Sequence, residues 1–169
     1  QLDTEVTAID IGTNSVTNVL LDIEDLKNGN NANRTISNTG GGGSYKIKDT
    51  ATILAANDSF LEGQTVIIND SSTAATTSEL NTIQAGIEAN GATGALTYTK
   101  LTGTATSLAA NTDDIIDGVA VTIDESGAAS TYATVAQIDT LTTRIGAVSN
   151  ASLSYEKLND SATLLAAGT

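Results

Sequence analysis

Acidic side chains are the residues of this sequence whose spacing could do chemistry. An Asp stands near the end of most predicted strands; these residues are Asp10, Asp49, Asp70, Asp124 and Asp160. Stacked strands would align the carboxylates as a ladder, and Ca²⁺ prefers oxygen ligands of this kind. The same side chains could instead accept backbone N–H groups at helix N-termini and turns. Gly103 stands where one acid is due and offers no side-chain ligand, which favours the capping role.

A second acidic group consists of Asp113, Asp114 and Asp117, followed by Gly118. Its spacing is not that of a calcium-binding loop, which ends in a distal bidentate Glu. A solvated acidic loop is therefore the favoured interpretation, and these three residues are weak calcium candidates. No other cofactor is expected.

The composition excludes several classes of enzyme. The 169 residues include no Cys and no His, which removes thiol nucleophiles, Ser-His-Asp triads, Cys/His zinc sites and disulfides. Paired carboxylates of the glycosidase kind carry little information among twenty acidic residues, and aromatic side chains are only 3% of the chain. We therefore predict no catalytic residues and no enzyme activity.

The charge of the chain limits its partners. The formal net charge is −13, and such a field repels nucleic acid and anionic lipid surfaces. No apolar run approaches the roughly 20 residues of a membrane-spanning helix. We expect neither nucleic-acid binding nor membrane insertion.

The sequence repeats itself. Residues 49–57 read DTATILAAN, and the pattern returns as GTATSLAAN at 103–111 and as DSATLLAAG at 160–168, so that the copies lie 54 and 57 residues apart. A tyrosine precedes each copy; we expect these three to stack in register, and they are Tyr45, Tyr98 and Tyr155. A second element, VIIND at 66–70, is matched by VTID at 121–124 and VTAID at 6–10. Repetition of this kind is typical of arrays of stacked units.

Periodicity predicts the secondary structure between these landmarks. Short β-branched or alternating segments predict strands at 45–49, 65–70, 96–101, 119–124 and 152–158. Apolar residues at helical spacing predict three longer helices, with the stripes Val16, Val19, Leu20, Ile23 and Leu26; Leu80, Ile83 and Ile87; and Val135, Ile138, Leu141, Ile145 and Val148. Strand–helix–strand units make parallel sheets with right-handed crossovers. The expected fold is α/β, a right-handed α/β solenoid of strand–helix half-repeats with a parallel sheet; a β-solenoid is the alternative.

The repeats divide the chain into five parts. Residues 1–27 form a partial repeat of one strand and one helix, and 28–44 form an Asn/Gly-rich flexible loop or hinge. Residues 45–97 and 98–154 form two repeats, and 155–169 form a partial third.

The repeated wording resembles the repeat unit of large bacterial secreted and surface exoproteins of the haemolysin type, which are often associated with calcium. Related segments occur in virion proteins of marine phages. The residues that carry the resemblance are 49–57, 103–111 and ATVAQI at 133–138. Most of residues 45–169 is covered, with a departure at Gly103. The resemblance implies an architecture and an extracellular, cell-surface or virion location rather than a chemistry.

The expected function is structural. The chain begins on a second-element strand and ends on a first-element helix. Either the sequence is an excerpt of a longer array, or copies join head to tail. We expect head-to-tail joining into a filament, coat or adhesin stalk. The interface candidates are Val6, Ile9, Leu164 and Leu165. Two alternatives stay open: a phage decoration or tail-fibre component, and a calcium-dependent or carbohydrate-binding adhesion module that binds a surface glycan. Sequons for N-glycosylation stand at Asn33, Asn57, Asn69, Asn150 and Asn159.

Overall fold

A computed structural model describes residues 8–10, 19–27, 35–37, 45–127 and 132–167. Its strands are β1 (Ala8–Asp10), β2 (Val19–Leu21), β3 (Thr35–Ser37), β4 (Tyr45–Asp49), β5 (Thr65–Ile68), β6 (Ala75–Thr76), β7 (Ala95–Thr97), β8 (Lys100–Gly103), β9 (Ala120–Ile123) and β10 (Ser152–Ser154). Its helices are α1 (Ile23–Leu26), α2 (Ala51–Ala55), α3 (Thr77–Ile87), α4 (Ala105–Ala110), α5 (Val135–Gly146) and α6 (Ala162–Ala167). Short 3₁₀ turns cover Asp58–Phe60, Ala89–Gly91 and Thr112–Asp114. The fold is α/β, as expected.

Two four-stranded parallel sheets have the same internal order. One has the order β2-β4-β5-β7 and the other has the order β6-β8-β9-β10. Their central registers match, with Leu21, Ile47, Val66 and Leu96 side by side in one sheet, and Ala75, Leu101, Val121 and Leu153 in the other. We number the strands of each sheet in this order as positions one to four.

Two further pairings fill parts of the same pattern. Strand β1 pairs in parallel with β3, placing Ile9 opposite Ile36 as Val66 lies opposite Leu96 in positions three and four. A parallel bridge joins Ala133 to Leu158 as Ala75 pairs with Leu101 in positions one and two. Each pair is therefore one half of the four-position pattern.

The residues separate into two compact units that interleave along the chain. One consists of Gln1–Asn69 with Asn81–Thr97, and the other consists of Asp70–Leu80 with Tyr98–Thr169. The chain leaves the first unit after β5, contributes β6 to the second sheet, and returns to the first unit for β7. The position-one strand of each sheet is therefore separated from the position-two strand by a strand of a different sheet: β3 lies between β2 and β4, and β7 lies between β6 and β8.

Branched aliphatic side chains form the core of each unit. In the first unit Ile47, Leu54, Leu61, Val66 and Ile83 are fully buried. In the second the corresponding side chains are at most 1% exposed, and they are Leu101, Leu108, Ile115, Val121 and Leu141. Leu54 and Leu108 occupy the same place in two copies of the repeat, so one sequence pattern builds both cores.

The caps of the helices repeat with the sequence. Thr50, Thr104 and Ser161 each accept a backbone N–H three residues ahead, at the start of α2, α4 and α6. The helices that follow position one begin with reciprocal capping boxes instead, formed by Asp22 with Asp25, Thr76 with Glu79 and Thr134 with Gln137. The two classes of half-repeat seen in the sequence therefore have two kinds of helix start.

Three local expectations are wrong. The helix predicted over Val16–Leu26 is interrupted, because Val19–Leu21 pair with β4 and a short helix begins only after the N-cap Asp22. The strand predicted at 96–101 is two strands, β7 and β8, that belong to different sheets. The tyrosines do not share one register: Tyr45 precedes its position-two residue Ile47 by two residues, whereas Tyr98 and Tyr155 precede theirs by three.

Candidate functional site

The strand-end acids Asp49 and Asp160 bind backbone N–H groups. The Ile23 N–H donates to Asp49 Oδ2 (3.3 Å) and the Thr50 N–H donates to Oδ1 (2.8 Å). The Val135 N–H likewise donates to Asp160 Oδ2 (3.2 Å), and the Ser161 N–H donates to Asp160 Oδ1 (2.7 Å). Each carboxylate thus joins the start of one helix to the start of the helix in the next half-repeat.

Two further acidic residues follow position-three strands, and the carboxylate of each accepts two successive backbone N–H groups; we call this arrangement a carboxylate staple. Asp70 is buried, and its Oδ2 accepts the N–H groups of Thr99 (2.6 Å) and Lys100 (2.8 Å). Glu125 accepts the N–H groups of Glu156 (3.0 Å) and Lys157 (2.8 Å) in the same way. Both staples hold the turn that enters the next position-two segment.

The remaining acids of the expected ladder stand elsewhere. Asp124 is exposed, and hydrogen bonds from Ser126 hold the pKa of its carboxyl below the usual range. In the repeat it corresponds to Asn69, since both N–H groups donate to the last residue of the position-two strand. Glu125 rather than Asp124 is therefore the counterpart of Asp70. Asp10 lies in β1 opposite Ser37. Gly103 has no side chain to accept a hydrogen bond, and its carbonyl oxygen accepts the N–H of Asp124.

The calcium candidates do not form a metal centre among the described residues. The Ser149 N–H donates to Asp117 Oδ1 (2.9 Å). Asp114 is half-buried with Oδ2 unpartnered, and burial together with the neighbouring Asp113 raises the pKa of its carboxyl. No group of three or more acidic, His or Cys side chains suited to a metal ion occurs in the described ranges. Calcium binding at these residues stays an open alternative.

Two open depressions lie in the second unit. One, of about 290 Å³, lies at the carboxyl ends of β9 and β10 and includes Glu125, Tyr155 and Lys157. The other, of about 540 Å³, runs beside α5, where Arg144 Nε donates to the carbonyl oxygens of Thr112 and Ile115 (both 3.0 Å). The charged groups of both depressions are hydrogen-bonded to the backbone, since the Glu125 carboxylate accepts backbone N–H groups and Arg144 Nε donates to carbonyl oxygens.

The repeat-equivalent residues differ sharply in exposure. Tyr98 is 8% exposed and Leu101 is fully buried, whereas their counterparts Tyr155 and Leu158, each 57 residues later, are 41% and 39% exposed. Leu108 is fully buried, and its counterpart Leu165 is half-buried. We call Tyr155, Leu158 and Leu165 the open surface.

Strand β9 explains the burial in the earlier copy. It pairs with β8 along Leu101, and the Tyr98 hydroxyl donates to the carbonyl oxygen of Asp114 (2.5 Å) in the segment that leads to β9. Within the described part of the chain, Leu158 bridges only to Ala133. The open surface is therefore the surface that β9 and its preceding segment cover one repeat earlier.

The four predicted interface residues fall in four different situations. Val6 lies outside the described residues, and Ile9 lies in β1. Leu164 is 50% exposed, but its counterpart Ile53 is also exposed, at 41%, so this position faces solvent in an earlier copy too. Leu165 belongs to the open surface. Sequence reasoning did not single out the exposed Tyr155 and Leu158, although their spacing of 57 from Tyr98 and Leu101 was a usable signal.

Comparisons with protein families, with curated proteins and with solved structures find no match to this chain. Within the described residues, none of the helices has the length and apolar character needed to cross a membrane. The resemblance to bacterial exoprotein repeats stays a prediction.

Proposed function

We propose that this chain is a non-enzymatic structural repeat protein that self-assembles head to tail into a filament, the material of an extracellular coat or adhesin stalk. The observation that carries the proposal is the exposure of Tyr155 and Leu158, whose counterparts Tyr98 and Leu101 are buried. Grouped exposed apolar side chains are typical of contact surfaces. A second copy is the proposed partner.

The form of the assembly follows from the kind of contact. We propose that the complement of the open surface is a different surface of the partner, because a strand at another position of the sheet covers the equivalent residues inside the chain. Such head-to-tail contacts make open filaments unless the rotation between copies closes a ring. Continued stacking of the repeats in this way would give the right-handed α/β solenoid that the sequence predicts.

The use of the acidic side chains supports a structural role. Asp49, Asp70, Glu125 and Asp160 each accept at least two backbone N–H groups. These carboxylates join segments that lie far apart in sequence.

Measurement of mass against concentration tests the proposal. Light scattering and sedimentation of the 169-residue chain should show mass increasing from micromolar to millimolar concentration, and negative-stain micrographs should show rods. Leu158→Asp should abolish this growth, because it places a charge in the contact. Ile53→Asp is the matched control, since Ile53 is about equally exposed outside the open surface. A chain that stays monomeric throughout contradicts the proposal.

A further inference from the structure

The described residues contain the two complementary halves of a four-stranded sheet. Strands β1 and β3 occupy positions three and four, and the bridged residues Ala133 and Leu158 occupy positions one and two. In the described part of the chain, β1 has a strand on one side only. Each half lacks what the other half provides.

The junction between such halves occurs twice within the chain. Position two pairs in parallel with position three, placing Ile47 opposite Val66 in one sheet and Leu101 opposite Val121 in the other. The sequence of β1 with its next residue, AIDI at 8–11, resembles AVTI at 120–123. Ile9 pairs with Ile36 as Val121 pairs with Leu153, so Ile9 is the counterpart of Val121. The match of 6–10 with 121–124 in the sequence, which aligns Asp10 with Asp124, is therefore wrong in register.

We propose that β1 of a second copy pairs in parallel with the segment around Leu158, with Ile9 of that copy opposite Leu158. This rests on the proposed self-association and names the surface that meets the open surface. The pairing would complete a sheet of positions one to four from two copies, in the register of the two internal sheets. It would also supply hydrogen-bond partners for the free edge of β1.

The occupant is a second copy because the chain itself shows what fits. The internal sheets cover the counterparts of Leu158 with a strand of the β1 pattern, and each copy carries one such strand and one such surface. The proposed contact joins two different surfaces, and contacts of this head-to-tail kind propagate unless they close a ring.

Cysteine cross-linking tests the register, because the natural chain has no Cys. Adjacent strands lie about 4.8 Å apart, within the span of about 4.4–6.8 Å between Cα atoms that a disulfide bridges. The double variant Ile9→Cys with Leu158→Cys, treated with oxidised glutathione, should give a ladder of covalent dimers and larger species that reductant dissolves. Mixing the two single variants should give an Ile9-to-Leu158 cross-linked dimer and no ladder.

The control for register is Val6→Cys with Leu158→Cys, which places the thiol three residues away. We expect cross-linking from this variant to be lower by about tenfold or more. A shift of three residues along a strand is about 10 Å, which takes the two Cα atoms beyond the span of a disulfide. Equal cross-linking, dominance of the Val6 variant, or an internal disulfide within one chain overturns the pairing. If the natural chain forms filaments but the Ile9 variant gives no ladder, self-association stands and the β1 pairing fails. If the natural chain stays monomeric, both fail.

Discussion

The acidic side chains that follow the strands act at a distance along the chain. Each of Asp49, Asp70, Glu125 and Asp160 accepts at least one backbone N–H that lies 25 to 32 residues away. Hydrogen bonds of this kind between a charged acceptor and a backbone donor are stronger than neutral ones. They tie each half-repeat to the next in a chain whose core is built from medium-sized aliphatic side chains.

Asp70 is expected to be the most costly of these acids to remove. Asp70→Ala leaves the N–H groups of Thr99 and Lys100 without their acceptor, and we expect the free energy of unfolding to fall by about 3 kcal/mol. Asp70→Asn keeps one oxygen acceptor and should lose about half as much. Urea denaturation measures both, with Asp139→Ala on the exposed side of α5 as the control. An Asp70→Ala loss no larger than that of the control would contradict the staple.

Ionisation of Tyr98 is expected to lower the stability of the fold at alkaline pH. Burial, with a further contribution from the charge of Asp114, raises the pKa of its hydroxyl from 10.0 to about 12. A raised folded-state pKa means that the folded state keeps its proton while the unfolded state loses it, so stability is complete below pH 10 and falls as pH rises toward 12. We expect this group to lower the free energy of unfolding by about 2 kcal/mol over that window.

Tyr98→Phe isolates this effect. The variant loses the hydrogen bond to Asp114 and should be about 1 kcal/mol less stable at neutral pH, with a flatter decline above pH 10. Some decline should persist, because burial also raises the pKa of Tyr45. Urea midpoints measured between pH 7 and pH 12 provide the comparison. A decline as steep in the variant as in the natural chain would contradict the assignment.

Among the elements, those with a long and regular period follow the sequence closely. Helices α3 and α5 lie where the stripes through Ile83 and Leu141 predict them, because a repeated apolar face is specified locally. The exchange of strands between sheets is not local. The segment 96–101 alternates like one strand, yet the chain passes from one sheet to the other at Tyr98 and Thr99. The Asp70 carboxylate, 29 and 30 residues away, accepts the N–H groups of Thr99 and Lys100 at that turn.

The position-one strands were the hardest elements to predict. Strand β6 is two residues long, too short for an alternating pattern. The strand at Val19–Leu21 runs directly into the helical spacing of Ile23 and Leu26. Pairing with β4, a contact 26 residues away, decides the conformation there. The places of Asp49, Asp70 and Asp160 after predicted strands did mark them as candidate backbone acceptors. The distant N–H groups that they bind could not be predicted, because those contacts depend on the fold.

Close packing between helix and turn gives a test at this scale. A Cβ on Gly86 of α3 would lie 2.7 Å from the carbonyl oxygen of Asp58, which is backbone and cannot turn aside. We expect Gly86→Ala to lower the free energy of unfolding by about 2 kcal/mol despite its better helix propensity. Gly146→Ala in α5 meets no atom within 4 Å, and should be about 0.5 kcal/mol more stable than the natural chain. Thermal and urea unfolding of both variants should therefore show shifts of opposite sign; a stabilised Gly86→Ala would show that α3 does not lie against the Asp58 turn.

For the whole molecule, the formal net charge of −13 opposes the proposed association of copies. Copies that meet through apolar side chains and a strand edge gain little from charge pairing but must bring like charges together. Salt screens that repulsion, since the screening length shortens from about 30 Å at 0.01 M to about 10 Å at 0.1 M ionic strength. We therefore expect the apparent dissociation constant between copies to fall by about tenfold over this range. Sedimentation velocity at constant protein concentration measures it, with Leu158→Asp as the variant that should stay monomeric at every ionic strength. Association that weakens as salt is added would mean that ion pairs, rather than the apolar contact around Leu158, hold the copies together.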